Sequence, residues 1–497
     1  MDRRQFLGSG LGVGAAAAIS MGWANRAFAA DTADIRVAQI GFHGQGGGHI
    51  GNLIKNKNLV ALCDVDEKVL NKKYDELTEE GHKLDKYVDF RKLLERKDID
   101  AVSIATPNHT HALITVLAAQ AGKDVYVEKP TSHNTWESRQ MVAAAQKYDR
   151  IIQCGTQSRS SKGLKDAVEW LHAGNLGEIK FAIGTCYKRR ASIGKSDKPL
   201  KFPSYINREL WVAGAKDEPI YRPEKNSNGK TAPHYDWHWD FNTGGGDLGN
   251  QGIHQMDIAR WFLGEPALAP RVISIGGRLG YEDAGNTANT QIVFHEYEKA
   301  PLMFEVRGLT KGKGERDMDN YRGSGIGVIV QCEKGHMLIP SYSEVIAYDN
   351  DGEKIKRFEG GGGHHDNWLK AIATRDRKML NADIVEGHYS SALCHAGNVS
   401  YRLGKKTSTA EIGEAVKSNE LLADGYARML EHLEANGVDV SSEPIITMGE
   451  SLTVDPKTDQ FVGNDDAAKL FAREYRKPFA VPDIERELAG QSAAAGG

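Results

Sequence analysis

The sequence Ile35–Asp64, IRVAQIGFHGQGGGHIGNLIKNKNLVALCD, contains the pattern that decides the fold of the first part of the chain. A short apolar run is followed by a glycine-rich loop, a helical stretch, and a second apolar run that ends at Asp64. This pattern is typical of a βαβ unit, in which glycines let the backbone approach a pyrophosphate and the helix N-terminus favours its negative charge. Asp64, about 20 residues after the loop, is placed to accept a hydrogen bond from a ribose 2′-hydroxyl. The stretch therefore predicts a dinucleotide-binding domain.

The glycine loop departs from the GxGxxG fingerprint, because His43 stands where the second glycine would be. An ordinary loop is the alternative, but the strand before it and the carboxylate after it favour nucleotide binding. Asp64 would repel a 2′-phosphate, and so the sequence favours NAD over NADP. The loop residues predicted to contact the cofactor are Gly41, His43, Gly44, Gln45 and Gly46.

Polar residues follow two later strands predicted for the same sheet. The motif TPNHTH (Thr106–His111) comes after one apolar strand, and Glu128-Lys129-Pro130 comes after another. Ligands bind at the carboxyl ends of the strands in an open parallel sheet. A surface salt pair is the alternative for Glu128 and Lys129. The additional residues predicted to contact the cofactor are Thr106, Pro107, Asn108, His111, Glu128 and Lys129.

A second candidate site lies in Gly244–Gly264, GGGDLGNQGIHQMDIARWFLG. Three glycines predict a tight turn, and the apolar residues that follow have helical spacing. His254 and Asp257 fall three residues apart on this helix and share a face. A histidine beside a carboxylate is a candidate for proton transfer, and a buried structural histidine is the alternative.

Together, TPNHTH, EKP and GGGDLGNQGIHQMD resemble the Gfo/Idh/MocA family (glucose–fructose oxidoreductase, inositol dehydrogenase and relatives). The resemblance implies an α/β fold, with an N-terminal Rossmann dinucleotide-binding domain and a C-terminal α/β domain whose open sheet is mostly antiparallel. It also implies that Lys129 and His254 handle protons beside the nicotinamide. Many members have an aspartate four residues before this histidine, whereas this chain has Asn250. An asparagine can bind a sugar hydroxyl but cannot take up a proton at neutral pH.

Two further segments are candidates for substrate binding. Lys188–Arg190 is unusually basic, and His234–Asp240 alternates aromatic with polar residues. Aromatic rings pack on the C–H faces of sugars while polar side chains bind their hydroxyls. A solvated loop and a packed aromatic loop are the alternatives. No third potential ligand follows His234 and His238 at a spacing typical of metal sites, so no metal site is predicted. The residues predicted to contact substrate are Lys129, Arg190, His238, Asn250, His254 and Asp257.

At 497 residues the chain is too long for one ordinary core. We predict a signal peptide at 1–29, a Rossmann domain at 33–153, a substrate and oligomerisation domain at 154–439, and a C-terminal docking tail at 440–497. Hairpins at Lys334-Gly335 and Asp351-Gly352 indicate antiparallel strands in the second domain. Such a sheet has one face to cover, which predicts a homo-oligomer, either a dimer or a tetramer.

The N-terminus resembles a twin-arginine (Tat) export signal, whose machinery carries folded proteins. Arg3-Arg4 precede Phe6-Leu7, an apolar run follows, and Ala27-Phe28-Ala29 offers a cleavage site. A Sec signal or an uncleaved anchor is the alternative. No other segment has the roughly 20 continuous apolar residues of a membrane span. We therefore expect a periplasmic or otherwise exported protein with no stable membrane anchor after cleavage.

The composition makes several other classes of protein unfavourable. A hydrophobic content of 40% and a charged content of 26% are typical of a soluble globular protein. The formal charge of −4 gives no support to nucleic acid as a partner. The five cysteines are scattered without a CxxC pair, so neither a zinc knuckle nor a dithiol redox site is indicated.

The leading hypothesis is an NAD(P)-dependent oxidoreductase that acts on a secondary hydroxyl of a sugar, polyol or glycoside. Free NAD is expected to be scarce outside the cytoplasm, so export of a folded protein predicts a tightly bound cofactor. The alternative is a redox-neutral NAD-dependent glycosidase or epimerase that works through a transient keto-sugar. A hypothesis of another class is a non-catalytic sugar-binding protein that keeps the fold.

Overall fold

A computed structural model describes residues 32–225, 229 and 231–495. The predicted signal peptide, 1–29, lies outside the described residues. In the described part of the chain, none of the helices combines the length and the apolar character needed to cross a membrane.

The first sheet has six strands, all parallel, in the order β3-β2-β1-β4-β5-β6. Its strands are Val37–Ile40 (β1), Leu59–Cys63 (β2), Asp85–Tyr87 (β3), Ala101–Ile104 (β4), Asp124–Val127 (β5) and Ile152–Cys154 (β6). The helices between them are Gly46–Lys55 (α1), Glu67–Glu79 (α2), Phe90–Leu94 (α3), Asn108–Gln120 (α4) and Thr135–Lys147 (α5). The order of the strands reverses between β1 and β4, which is where this fold binds ligands.

The second sheet has twelve strands and is mostly antiparallel. Its strands are Ile179–Tyr187 (β7), Arg271–Gly277 (β8), Thr290–Glu296 (β9), Leu302–Arg307 (β10), Ile326–Cys332 (β11), Gly335–Ile339 (β12), Glu344–Tyr348 (β13), Lys354–Glu359 (β14), Lys405–Thr407 (β15), Ile446–Met448 (β16), Leu452–Asp455 (β17) and Gln460–Val462 (β18). β7 lies between β10 and β11 and runs parallel to β10. The predicted α/β fold class, with a Rossmann domain followed by a mostly antiparallel sheet, is confirmed.

Helices cover both faces of the second sheet. The remaining helices are Lys162–His172 (α6), Arg208–Val212 (α7), Gly246–Asn250 (α8), Gly252–Leu263 (α9), His364–Thr374 (α10), Ile384–Leu403 (α11), Thr409–Val416 (α12), Glu420–Ala435 (α13), Asp465–Leu470 (α14) and Ile484–Ala495 (α15). On the inner face, α9 packs against β7 and β11, and α11 packs against β8 and α9. This packing fixes the position of α8 and α9, which carry the second candidate site.

On the outer face, α12 and α13 cover β7–β10 with apolar side chains. The side chains that meet there include Ile412, Val416, Tyr426 and Met429 from the helices, and Ile183, Ile275, Phe294 and Met303 from the strands. The sequence-based reason for expecting a homo-oligomer was an uncovered sheet face. Over these strands the chain covers that face itself, so the oligomeric state remains a prediction.

The segment 188–245, here called the interdomain segment, leaves β7 and crosses the carboxyl-terminal edge of the Rossmann sheet. The amide of Glu67 donates to the carbonyl of Tyr205 at 2.9 Å, and the amide of Asn207 donates to the carbonyl of Val65 at 2.9 Å. His109, in α4, places Nε2 2.8 Å from the carbonyl oxygen of Trp211. The segment therefore closes over the loops that follow β2 and β4.

The predicted docking tail contacts both domains. β16 and β17 pair with β8 of the second sheet, and α15 packs against α5 of the Rossmann domain. Glu485 of α15 accepts a hydrogen bond from Arg139 at 2.7 Å and another from Gln140 at 2.9 Å. The tail thus ties the two domains together.

Candidate active site

A cavity of about 410 Å³ lies between the Rossmann edge and the second domain. The Rossmann side of its wall is formed by the ends of β1, β2, β4 and β5, and the other side by the interdomain segment and α8. Among the predicted site residues, those that line it are Gly41, His43, Gly44, Gln45, Asp64, Thr106, Pro107, Asn108, His111, Glu128, Lys129, Arg190, His238 and Asn250. The structure thus brings residues from distant parts of the sequence into one site.

The glycine loop is built for close backbone contacts. Gly41 has φ of 74°, and a Cβ there would lie 2.7 Å from the Thr106 side chain. Gly46 begins α1, and a Cβ there would lie 2.1 Å from the carbonyl oxygen of Gly41. No side chain caps the N-terminus of α1, and Gly44 and Gln45 line the cavity just before it. This N-terminus is suited to bind a phosphate.

Asp64 lies at the end of β2 with its carboxylate held by two backbone amides. Phe42 donates to Oδ2 at 3.1 Å, and Asp66 donates to Oδ1 at 3.0 Å. Burial raises the pKa of Asp64 to about 6, although the two hydrogen bonds act in the opposite direction and lower it. The carboxylate is therefore fixed beside the glycine loop, where a ribose hydroxyl would be recognised.

His43, the residue that replaces a fingerprint glycine, joins a group that the sequence did not reveal. Its ring lies 3.9 Å from the ring of His234, and His234 Nε2 lies 2.8 Å from Asp66 Oδ2. One ligand atom from each of these three residues lies within 4.8 Å of the others, so by composition they could hold a divalent metal. Asp66 Oδ1 also accepts from the amides of Lys68 and Val69 and so caps α2. The group joins the two domains at the mouth of the cavity.

The TPNHTH motif forms the turn from β4 into α4. Thr110 donates to the Thr106 hydroxyl at 2.7 Å, which fixes the turn. His111 is buried, with Nδ1 2.7 Å from the carbonyl of Pro130 and Nε2 2.8 Å from that of Thr106. Burial lowers the pKa of His111. Asn108 lines the cavity, and its buried Oδ1 has no partner among the described residues, which leaves an acceptor for a ligand.

Glu128 and Lys129 follow β5 but have different environments. Glu128 is buried and lies 3.1 Å from His49 Nε2. Although burial opposes the effect, the hydrogen bond from His49 and nearby positive charges lower the pKa of Glu128 to about 2. Lys129 Nζ donates to the carbonyl of Asn250 at 3.2 Å, across the domain boundary. Burial lowers the pKa of Lys129, and the carboxylate of Glu128 opposes that shift.

His254 lies one helical turn after Asn250 and is only 8% exposed. It is not among the residues that line the cavity, and its ring lies 5.0 Å from the ring of Tyr342, whose hydroxyl accepts a hydrogen bond from the cavity residue Gln251. Burial and the charge of Lys129 lower the pKa of His254 to about 3. Neither ring nitrogen has a hydrogen-bond partner among the described residues, and Nδ1 is fully buried. The imidazole is therefore uncharged near neutral pH.

Arg190 and His238 line the part of the cavity formed by the second domain. Arg190 makes two hydrogen bonds to the buried Asp247 at 2.7 and 2.6 Å, and it donates to the Tyr235 hydroxyl at 2.7 Å. The His238 ring stacks on Trp237 with 3.6 Å between ring centroids. These contacts hold both side chains in place at the cavity wall.

Asp257 is held away from the cavity. It is fully buried and accepts two hydrogen bonds from Arg159, at 2.8 and 3.0 Å, and a third from Ser390 at 2.7 Å. Residues three apart on a helix differ by about 60° around its axis, so sharing a broad face with His254 does not give Asp257 the same direction. Asp257 therefore ties α9 to Arg159 and Ser390, and it does not line the cavity as the predicted substrate contact would.

Several cavity residues were not among the predicted contacts. Lys188 and Tyr235 lie in the basic and aromatic segments noted in the sequence. Nothing in the sequence around Trp211 or Gln251 indicated that these side chains would line a site. The further lining residues from the second domain are Lys188, Leu210, Trp211, His234, Tyr235, Trp237 and Gln251. Only the folded interdomain segment brings them together.

Two family models match the chain. The model described as "Oxidoreductase family, NAD-binding Rossmann fold" (GFO_IDH_MocA) matches residues 35–156. The model described as "GFO/IDH/MocA C-terminal domain" matches residues 221–336. Both domains of the structure therefore carry a match to the same family.

Two of the curated relatives are named as sugar or polyol dehydrogenases. Levoglucosan dehydrogenase of Pseudarthrobacter phenanthrenivorans is 27% identical over 186 residues, which are 37% of this chain and 38% of that protein. Myo-inositol 2-dehydrogenase of Thermotoga maritima is 30% identical over 146 residues, which are 29% of this chain and 42% of that protein. These matches span about two fifths of the length of the relatives.

Solved structures share the fold. The WlbA dehydrogenase from Bordetella pertussis, in complex with NADH and UDP-GlcNAcA, has a TM-score of 0.53 and 19% identity, covering 74% of this chain and 97% of that one. A levoglucosan dehydrogenase in complex with NADH and levoglucosan has a TM-score of 0.53 and 17% identity, covering 73% of this chain and 95% of that one. At these identities the likeness shows the fold alone.

Proposed function

We propose that this chain, whose two domains match models of the Gfo/Idh/MocA family of oxidoreductases, is an NAD-dependent enzyme that oxidises a secondary hydroxyl of a sugar, polyol or glycoside. One observation carries this proposal. Lys129, at the end of β5, lines the same cavity as the glycine loop and as Asn250 from the second domain. An ammonium group thus lies where a dinucleotide from one domain and a substrate held by the other would meet.

The residues present fit a nicotinamide dinucleotide. The uncapped N-terminus of α1 would bind the pyrophosphate, Asp64 would accept from a ribose hydroxyl, and the unpartnered Oδ1 of Asn108 offers a further acceptor. When bound, the dinucleotide supplies the acceptor for the hydride that leaves the carbinol carbon. The chain itself must bind and orient the substrate and move its hydroxyl proton.

We assign the proton transfer to His254 and Lys129. The pKa of about 3 keeps the imidazole of His254 uncharged, so Nε2 is free to accept the hydroxyl proton. Lys129 would donate a hydrogen bond to the substrate oxygen and stabilise the negative charge that develops on it. Asn250, whose carbonyl already fixes Lys129 Nζ, would orient the substrate rather than take up a proton.

We also propose that the dinucleotide is tightly bound. The interdomain segment hydrogen-bonds to the loop after β2, and His234 contacts Asp66 at the cavity mouth. A bound dinucleotide would lie beneath these contacts, so its release would require them to break. If natively produced protein is denatured, we expect close to one NAD per chain in the mass spectrum of the supernatant.

The matched variants for this prediction are His234→Ala and, as a control, His82→Ala at a surface position. Loss of the interdomain contact in H234A is expected to speed release of NAD by about tenfold or more, which corresponds to one hydrogen bond to a charged group. H82A should release NAD at the parent rate. Native protein that carries no nucleotide, or equal release rates in all three proteins, would contradict tight binding.

Cofactor choice gives a further prediction. Replacement of Asp64 by alanine removes the proposed acceptor for the ribose hydroxyl, so affinity of nucleotide-depleted protein for NAD should fall by about 10- to 100-fold. The ratio of NADP to NAD affinity should rise, because a carboxylate that would repel a 2′-phosphate is gone. Titration with both nucleotides, with the surface variant Asp85→Ala as control, measures the ratio. An unchanged ratio in D64A would place the ribose elsewhere.

Export through the Tat pathway is part of the proposal. It rests on the paired arginines and the apolar run before Ala27-Phe28-Ala29, and it accords with a cofactor acquired before export. An exported enzyme that retains its cofactor needs a second substrate to reoxidise it in place. We propose that this substrate enters the same cavity after the first product has left.

The redox-neutral glycosidase or epimerase is not favoured, since the two relatives described above are named as dehydrogenases. An assay separates the two activities. Reduced nicotinamide, or a reduced second sugar, is the expected product of the proposed oxidoreductase. Release of an aglycone, or inversion of a carbinol centre, without either product would support the redox-neutral reaction instead.

A further inference from the structure

Lys188 is a partly buried cation that lines the cavity without a counter-charge. Its Nζ donates to Gln251 Oε1 at 2.9 Å, and it forms no ion pair with any carboxylate of the described residues. Its backbone is fixed directly after β7, where its amide donates to the carbonyl of Arg307 at 3.0 Å. An ammonium group that is taken out of water without a charged partner is costly unless a ligand supplies one.

The other charges of this part of the cavity are already compensated or assigned. Arg190 is paired with the buried Asp247 at 2.6 Å. Glu128 interacts with the buried His49 at 3.1 Å. Lys129 faces the proposed reacting oxygen. Lys188 is therefore the cation of this wall that has neither a carboxylate partner nor a proposed role in the reaction.

Lys188 also lies near the reacting groups. Gln251, which accepts its hydrogen bond, donates to the Tyr342 hydroxyl at 2.5 Å, and the Tyr342 ring lies 5.0 Å from that of His254. The positive charge of Lys188 is one of the causes that lower the pKa values of both Lys129 and His254. A group bound to Lys188 would therefore belong to the same small molecule whose hydroxyl meets Lys129.

We propose that the substrate carries a carboxylate, as a sugar acid of the uronate type does, and that Lys188 binds this carboxylate beside the hydroxyl that is oxidised. The inference rests on the proposed oxidoreductase function. A single uncompensated ammonium matches the single charge of a carboxylate, whereas a phosphate monoester would bring nearly two charges. The dinucleotide phosphates have their own place at the N-terminus of α1, so they do not account for Lys188.

The test compares matched pairs of substrates on NAD-loaded protein. Methyl glucoside with methyl glucuronide, and methyl galactoside with methyl galacturonide, differ only in the carboxylate, and glucose 6-phosphate probes a phosphate. The rate at which the bound nicotinamide is reduced in a single turnover, measured against substrate concentration, gives the equivalent of kcat/KM, and the shift of unfolding temperature on adding each compound reports binding. We expect each acid to exceed its neutral partner by at least about tenfold in kcat/KM, as expected for a hydrogen bond between charged groups.

The variant Lys188→Gln keeps the side chain polar and removes its charge. We expect it to lower kcat/KM for the acids, mainly through KM, by about 10- to 100-fold more than for their neutral partners. Lys195→Gln, at an exposed position of the same interdomain segment, is the control and should change neither.

The outcomes separate this inference from the proposed function. If neutral sugars are oxidised and the acids are not preferred, or if K188Q affects both members of a pair equally, the carboxylate assignment is wrong and the oxidoreductase stands. A preference for glucose 6-phosphate over the acids would assign Lys188 to a phosphate instead and would also overturn the proposal. If no compound reduces the bound nicotinamide or shifts the unfolding temperature, both proposals fail.

Discussion

Replacement of Lys129 by methionine is expected to lower kcat by about 10³-fold, within the range that removal of a positioned proton-transfer or electrostatic group produces. Methionine has nearly the length of lysine but carries no charge and donates no hydrogen bond. The substrate oxygen would lose its cationic partner in the transition state. The nucleotide content of the protein should not change, because the glycine loop and Asp64 are intact. Steady-state kinetics and the mass of released nucleotide measure the two effects separately.

The matched control is Lys92→Met, at an exposed position of α3 where the side chain pairs with Glu95. It should retain the parent kcat. A K129M variant that keeps more than about one tenth of the parent kcat would remove Lys129 from the reaction. A parent protein that binds sugar and shows no turnover, with binding unchanged in K129M, would instead support the non-catalytic sugar-binding hypothesis.

The stability of the protein is expected to fall steeply as the pH drops below about 6.5, the ordinary pKa of histidine. Burial lowers the pKa of six histidines to about 3 or 4 in the folded chain; they are His109, His254, His295, His364, His365 and His395. The unfolded chain binds protons at these positions below pH 6.5, whereas the folded chain does not. Each histidine then removes about 1.4 kcal/mol of unfolding free energy per pH unit.

Several such groups acting together remove the 5–15 kcal/mol typical of a folded protein within a few pH units. The raised pKa of Asp64, about 6, opposes the trend, because there the folded chain binds the extra proton. Denaturant unfolding at pH 7.5, 6.5 and 5.5 measures how the unfolding free energy changes with pH. We expect the loss of unfolding free energy between the last two values to be about two to three times the loss between the first two.

His295 and His82 provide a matched pair for this prediction. His295 is buried in β9, where burial alone lowers its pKa to about 3, whereas His82 lies at the surface. His295→Leu should lower the number of protons taken up on unfolding by about one, and so make the unfolding free energy depend less steeply on pH. His82→Leu should leave this dependence unchanged. Equal slopes in the parent and H295L would show that buried neutral histidines do not cause the acid sensitivity.

The dinucleotide half of the site could be predicted because each of its parts is encoded locally. A glycine before a helix, a carboxylate at a strand end, and polar residues after two further strands are each visible within a few residues. The rule that ligands bind at the carboxyl ends of parallel strands then brings Gly41, Asp64 and Lys129 together. The hairpins predicted at Lys334-Gly335 and Asp351-Gly352 also connect observed antiparallel pairs, β11 with β12 and β13 with β14, since turn residues are local signals.

The rest depends on contacts between residues far apart in the chain. Nothing within Ile179–Tyr187 specifies that β7 pairs with β10 and β11, more than 100 residues later. In the same way, the sequence placed Asp257 beside His254 but could not show that Arg159 holds its carboxylate. For the same reason, the sequence could not predict that the interdomain segment closes over the Rossmann edge. This closure brings Lys188 and His234 to the cavity.

The central claim is that the cavity between the two domains transfers a hydride from a substrate carbinol to a bound nicotinamide. The most direct test is to incubate NAD-loaded protein with sugars and sugar acids that carry deuterium on every carbinol carbon, then denature it and weigh the released nucleotide. The account predicts reduced nucleotide heavier by one deuterium, formed about 10³-fold more slowly in K129M. Nucleotide that never gains deuterium from any of these substrates, although they bind, would contradict it.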